Sequence, residues 1–389
     1  MKKVLVSLAL LLGSLFLQAK DMKINCGPWL QQVDEHSFTV LWTSADSLLA
    51  WVEVAPDDGK AWNKCARTRF YEVEDGRRVA GTFHAIRVTG LEPGTRYCYR
   101  LGGREIRNDK NAYDIHYGSW QTAPSSWPFE PSWTVKTLDS KAASCRFSMV
   151  NDIHFEKEAY AALFKDVPKA DPDFVVLNGD IVSHCNSFEE VADYYFGPVA
   201  STVANYPVVI ARGNHENRGR AFQAVSRLMR TPTGKFYFTF RLGPVGFIVL
   251  DAGEDKPDNS TEYSHYAEYD AYRLEELAWL REAVKDPQFA SAPQKVCIIH
   301  IATRKFAGAW HAQDWVADHF MPVLAEAGVQ LMLSGHHHKY IYVPVGAEGN
   351  PYPIVVNNKC ERLDFEADGK RFRIRTYSPD GNLTHELEF

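Results

Sequence analysis

The chain has 389 residues, 45% of them hydrophobic and 24% charged, an ordinary balance for two globular domains. A formal net charge of −6 argues against nonspecific nucleic-acid binding, so an anionic partner has to be drawn by local groups. The seven cysteines, Cys26, Cys65, Cys98, Cys145, Cys185, Cys297 and Cys360, are widely spaced and odd in number, and spell out no disulfide framework.

In chain order, the first segment is MKKVLVSLALLLGSLFLQAKD, with a short cationic start, an apolar stretch and the small residue Ala19 ahead of a cleavage point. The pattern predicts a secretory signal peptide over residues 1–19 and a periplasmic or secreted protein. Cys26 lacks an upstream lipobox, so no lipid anchor is expected, and no later segment is apolar for long enough to span a bilayer. Residues 22–124 hold alternating stretches, SFTVLWTS, AWVEVAP, FHAIRVTG and RYCYRLGG, separated by Asp, Gly and Pro turns. They predict an all-β sandwich. Trp29, Trp42, Trp51, Trp62, Trp120, Trp127 and Trp133 all fall in this front part or just after it. Packing between sheets is the expected fate of such rings, and an exposed one would suggest a ligand platform. Residues 125–144, rich in Ser, Pro and Thr, read as a linker lying along the second domain.

From residue 145 the pattern changes to apolar runs that each end in a polar block: FSMVNDIH, DFVVLNGD, YPVVIARGNHE, KVCIIHIA and VQLMLSGHHH. A sixth run, GFIVLDAG, brings no obvious ligand. Short runs of Val, Ile, Leu and Phe closed by Gly or Asn predict strands buried on both faces, hence an α/β domain. Loops at the carboxyl ends of such strands converge on one rim. The blocks would then bring together Asp152, His154, Asp180, Asn214, His215, His300, His336 and His338. One such Asp or His is as readily a helix cap or a solvated ring; a run of blocks in this order points to a two-metal hydrolytic centre. Asp152 and His154 are two apart, as are His336 and His338, so in extended backbone each pair shares a face and His337 points away. Asp180 follows a glycine and is the candidate bridge. Nitrogen and oxygen ligands without thiolate favour Mn, Fe, Zn or Co over Ca.

The pattern D-x-H, G-D, G-N-H-[ED], an isolated His and G-H-x-H resembles the calcineurin-like metallophosphoesterases, over about residues 145–389. GLEPGTRYCYRL, from Gly90 to Leu101, with TVLW around Trp42, resembles the fibronectin type III-like domain that precedes the catalytic domain of purple acid phosphatases. The resemblance implies a metallophosphoesterase β-sandwich flanked by helices and two divalent ions, Mn, Fe or Zn. One ion would be held by Asp152, His154, Asp180 and His338, the other by Asp180, Asn214, His300 and His336. Asp180 and His215 would be catalytic, with His215 beside the leaving-group oxygen. The implied reaction is hydrolysis of a small phosphorylated substrate by a metal-bound hydroxide, with monoesters favoured over diesters. Two departures separate the chain from the purple enzymes: Ser183 stands where they place an iron-binding Tyr, and His154 where they usually have Gly. A charge-transfer colour is therefore not expected.

Substrate contact is expected from Arg212, Arg304 and His311, with Arg218 and His184 as further candidates; a second-sphere His follows the isolated metal His at a similar interval in purple acid phosphatases. From Gly253 a polar loop leads into a helix near Tyr272, with Leu274, Leu277 and Leu280 on one side, which could cap the site. The alternative from another class is a cell-envelope protein that binds glycans or partners through its front sandwich and carries a vestigial phosphatase domain. No protein partner can be named from the sequence.

Overall fold

A computed structural model describes residues 20–111, 114–124 and 133–389. The expected signal peptide, residues 1–19, and Trp127 lie outside them.

The front domain is all-β, and one long strand organises it. Ser37–Pro56 pairs in its first half with Ile24–Gln31 and Ala80–Thr89, and in its second half with Arg96–Asn111 and Thr68–Phe70; its register with Ala80–Thr89 slips between Thr43 and Leu48. Such a slip bends a strand and lets it serve two sets of partners. The core gathers Leu30, Phe38, Val40, Trp42, Val52, Tyr99 and Leu101. Packing accounts for most of the tryptophans: Trp29, Trp42, Trp51 and Trp62 are buried, while Trp120 is 43% exposed. Trp29 stacks on Phe196 of the second domain with centroids 4.2 Å apart, and Tyr99 donates across the same boundary to the Ala204 carbonyl at 2.6 Å. The segment read as a linker is not structureless, because Trp133–Lys136 adds a strand antiparallel to Arg96–Tyr99. Alternation explains it: Val135 is buried and Lys136 exposed.

The second domain stacks two six-stranded sheets. In one, Val208–Ala211, Phe174–Asn178 and Cys145–Val150 run parallel, continued by antiparallel Arg362–Ala367, Phe372–Tyr377 and Leu383–Glu388. In the other, Val245–Leu250, Gln294–Ile299, Leu331–Ser334 and Ile354–Val356 are parallel, with Phe238–Leu242 and Ile341–Val343 antiparallel at the edges. Between the sheets pack Phe147, Met149, Val176, Phe247, Val249 and Leu333. Their neighbours face outward: Val150, Val175 and Leu177 meet Tyr160, Leu163 and Tyr195, while Ile248, Leu250 and Ile299 meet Leu277, Leu280 and Phe320. Helices thus cover both outer faces, which is why the strand sequences are continuous apolar runs. Cys297 is one of these fully buried core residues.

The helix after the polar loop is Tyr269–Ala283. It buries Leu277 and Leu280, but Leu274 is 57% exposed. The inward stripe is Arg273, Glu276, Leu277 and Leu280, spaced at i, i+3, i+4 and i+7. Two titratable residues take inward positions because backbone groups meet them there, although burial holds the Glu276 carboxyl well above the usual carboxylate range. Arg273 donates to the carbonyls of Ala252 (2.7 Å) and Glu254 (2.6 Å), and Glu276 accepts the Asp251 amide (2.9 Å). No helix among the described residues is long and apolar enough to cross a membrane.

Candidate metal centre

The parallel strands deliver their polar blocks to one end of the two sheets, as the sequence pattern requires, but not in extended backbone. Strand Cys145–Val150 stops before Asp152, and Asp152, His154, Asp180, His336 and His338 all take positive φ, between 48° and 72°. The shared-face argument from extended spacing therefore fails. Loop-to-loop hydrogen bonds set the turns instead: Asp152 donates its amide to the Gly179 carbonyl and His154 to that of Asp180, both at 3.0 Å. Each left-handed non-glycine residue costs on the order of 1 kcal/mol or more, and such strain collects at functional sites. Gly213 is required by approach, since a Cβ there would lie 2.2 Å from Asp180 Oδ1.

Each carboxylate has one oxygen tied down and one turned inward. Asp152 Oδ2 accepts from the His336 amide (2.8 Å) and Asn151 Nδ2 (2.6 Å), and Asp180 Oδ1 from the His215 amide (2.9 Å). Asp152 Oδ1 is left 3.2 Å from His338 Nε2, 3.8 Å from His154 Nε2 and 3.9 Å from His300 Nε2. Asp180 Oδ2 lies 3.1 Å from His300 Nε2, 3.8 Å from His154 Nε2 and 3.9 Å from His215 Nε2. Asn214 Oδ1 meets His336 Nδ1 at 3.1 Å. All eight expected residues are brought together. Three overlapping sets have the spacing to hold an ion: Asp152 with His154 and His338; His154 with Asp180 and His215; and Asp180 with His300 and His336.

The donor set fits cations. Asp152 Oδ1 and His300 Nε2 are buried and make no well-aligned hydrogen bond, although His338 Nε2 and Asp180 Oδ2 lie 3.2 and 3.1 Å away; atoms so placed are better satisfied by a shared cation than by one another. Burial pushes His154 down to about 4 and His336 to about 3, so both rings are neutral at pH 7 and present lone pairs. Burial disfavours charge on His300 as well, but Asp180 and Asp152 outweigh it and hold its pKa up at about 10. A cation between the carboxylates would displace that proton. His300 Nδ1 donates to the Asn178 carbonyl at 2.7 Å, which aims Nε2 at the carboxylates.

Glu216 was not foreseen, although it is the acidic letter of the GNHE block. Its buried carboxylate accepts the amides of Asp180 (2.9 Å), Ile181 (2.9 Å) and Gly213 (3.0 Å) and the Tyr195 hydroxyl (2.6 Å). It fastens the Asp180 turn to the Asn214 turn. Removing it strands several buried donors at about 1–3 kcal/mol each. Glu216→Ala is expected to lower stability by on the order of 4 kcal/mol in urea unfolding of the metal-free protein. A change of less than about 0.5 kcal/mol, the scale of a neutral surface substitution, would mean that it fastens nothing.

The side chains expected to contact substrate are engaged elsewhere. Arg212 is buried against Asp251, the residue that ends the sixth apolar run; Arg304 forms a two-pronged pair with Glu348 at 2.7 and 2.9 Å; His311 Nε2 meets Asp270 at 2.8 Å. In each case a carboxylate offers the partner that a bound phosphate would have to replace. His184 stands edge-on to Phe155, with centroids 5.1 Å apart. His337 leaves the cluster as expected, to meet Gln313 at 3.1 Å, although its flanking residues are not extended. Arg218 does reach the cluster: Nη1 lies 3.0 Å from His215 Nε2, while its other nitrogens grip Glu254 at 2.9 and 3.0 Å.

Comparison with known proteins follows the same division of the chain. Residues 145–340 match the family model described as calcineurin-like phosphoesterase, and residues 28–122 that of the purple acid phosphatase N-terminal domain. Purple acid phosphatase 22 of Arabidopsis thaliana is 22% identical over 317 residues, 78% of this chain and 60% of the relative. Purple acid phosphatase 23 of the same plant is 20% identical over 70% of this chain and 63% of its own length. The chain thus spans about three fifths of the curated relatives it matches. Purple acid phosphatase PPD1 from yellow lupin (Lupinus luteus) seeds shares the fold with a TM-score of 0.64 at 14% identity, over 93% of this chain and 73% of that one.

Proposed function

The chain belongs to the calcineurin-like phosphoesterase family, and from that premise we propose that it is a dinuclear-metal phosphoric ester hydrolase that favours monoesters over diesters. The observation that carries this reading is the convergence of four imidazoles, His154, His215, His300 and His338, on the inward oxygens of two buried carboxylates, Asp152 Oδ1 and Asp180 Oδ2. The monoester preference follows the relatives, which are named phosphatases.

Asp152, His154, Asp180 and His338 would hold one divalent ion, Mn, Fe or Zn, and Asp180, Asn214, His300 and His336 the other. When bound, the pair supplies positive charge against the phosphoryl oxygens and a water acidic enough to attack at neutral pH. Asp180 would be the carboxylate that the two ions share. His215 works on the leaving group. Its Nδ1–H donates to the Ser183 carbonyl at 2.9 Å, so Nε2 carries the lone pair and accepts from Arg218. To act as an acid, Nε2 must first take up a proton from solvent to form the imidazolium, which requires Arg218 Nη1 to swing off that nitrogen; a phosphate oxygen is the natural acceptor for the freed Nη1–H. Ser183 takes no phenolate role; its hydroxyl lies 3.2 Å from His154 Nδ1, consistent with a colourless pair of divalent ions. Residues 1–19 support export to the periplasm or medium.

The test is hydrolysis of p-nitrophenyl phosphate and bis(p-nitrophenyl) phosphate by chelator-stripped protein before and after addition of Mn, Fe or Zn. Metal-dependent turnover with the higher kcat/KM on the monoester is expected. Bound metal without turnover of either ester would contradict the proposal and favour the binding-protein alternative.

A further inference from the structure

We propose that Trp310 is the binding platform for the alcohol half of the substrate, and that this half carries a flat, uncharged aromatic ring. The inference rests on the phosphoesterase reading above and names the substrate class for the same site. Trp310 is 42% exposed, yet its ring lies 5.5 Å from that of His336, at a steep angle of 81°. What sets this ring apart from other exposed side chains is its place, with an apolar face open to solvent against an imidazole of the centre, where the alcohol half of a bound ester would lie.

The ring is held before any ligand arrives. Trp310 is the N-cap of the helix His311–Glu326, and its carbonyl accepts the Asp314 amide at 3.0 Å. The Lys256 ammonium lies 4.7 Å from the indole centroid, which ties the ring to the polar loop that begins at Gly253.

The cations nearest the ring are already answered: Lys256 has Glu262 at 2.9 Å, Arg304 has Glu348, and Lys305 has Asp318. None of them needs an anionic group on this half of the ligand, and a neutral ring can stack on an indole.

Calorimetric titration of the metal-loaded protein with methylphosphonate and phenylphosphonate tests this. Phenylphosphonate is expected to bind about tenfold tighter, the scale of one aromatic stack. Trp310→Ala should bring phenylphosphonate down to the affinity of methylphosphonate, while Trp310→Phe keeps most of the difference. Equal affinities in the wild-type protein, or a preference that survives Trp310→Ala, would overturn the platform and leave the phosphoesterase reading standing. Binding of neither phosphonate, together with no hydrolysis of aryl esters, would overturn both.

Discussion

Asp180→Asn is expected to lower kcat/KM for an aryl phosphate by at least about a thousandfold, or roughly 4 kcal/mol of transition-state stabilisation, and to leave the protein with at most one tightly held metal. The geometry says why so small a change is severe. Asp180 Oδ1 is fixed by the His215 amide at 2.9 Å, so the new amide keeps its oxygen there and turns its NH2 to where Oδ2 now faces His300, His154 and His215. A carboxylate acceptor becomes a donor, and the charge proposed to be shared by the two cations is lost. The fold should persist, because the amides of Asp180 and Ile181 remain on Glu216. Metal analysis of the purified variant beside its kinetics checks the prediction; two retained metals or wild-type rates would refute the bridging role.

His215→Ala should separate chemistry from metal binding. A positioned acid or base contributes about 10²–10⁴-fold, so kcat is expected to fall by that much while metal content stays that of the wild type. His215 Nε2 is 3.9 Å from Asp180 Oδ2, the longest of the imidazole approaches to that oxygen, and it is occupied by Arg218. An alkyl phosphate should lose more than an aryl phosphate, since an alkoxide needs its proton more than a phenolate does. Equal losses on both substrates would mean that His215 acts on the phosphoryl group and not on the leaving group. Loss of a metal would make it a ligand, as its place in the set with His154 and Asp180 allows.

The strand-then-ligand order was legible because two sheets buried on both faces leave continuous apolar runs, and the residue after each run has one rim to reach. All eight centre residues could be named for that reason. How they meet could not be read: the spacing of Asp152 to His154 suggests a strand face, and the chain uses left-handed turns. The substrate side was the least legible. Arg212, Arg304 and His311 are the residue types that bind phosphate, but their carboxylate partners, Asp251, Glu348 and Asp270, lie 39, 44 and 41 residues away. Leu274 was misplaced for a related reason, since Arg273 and Glu276 look like surface residues until the carbonyls and amide that answer them are known. Trp310 has no motif to mark it; in KFAGAWHAQ it is one apolar residue before a helix.

If two cations, held across Asp180, are required for ester hydrolysis, stepwise addition of Mn or Zn to chelator-stripped protein should restore p-nitrophenyl phosphate hydrolysis from nothing and level off at two equivalents per chain. Hydrolysis that survives complete stripping, or none with two metals bound, would show that the pair is not what cleaves the ester.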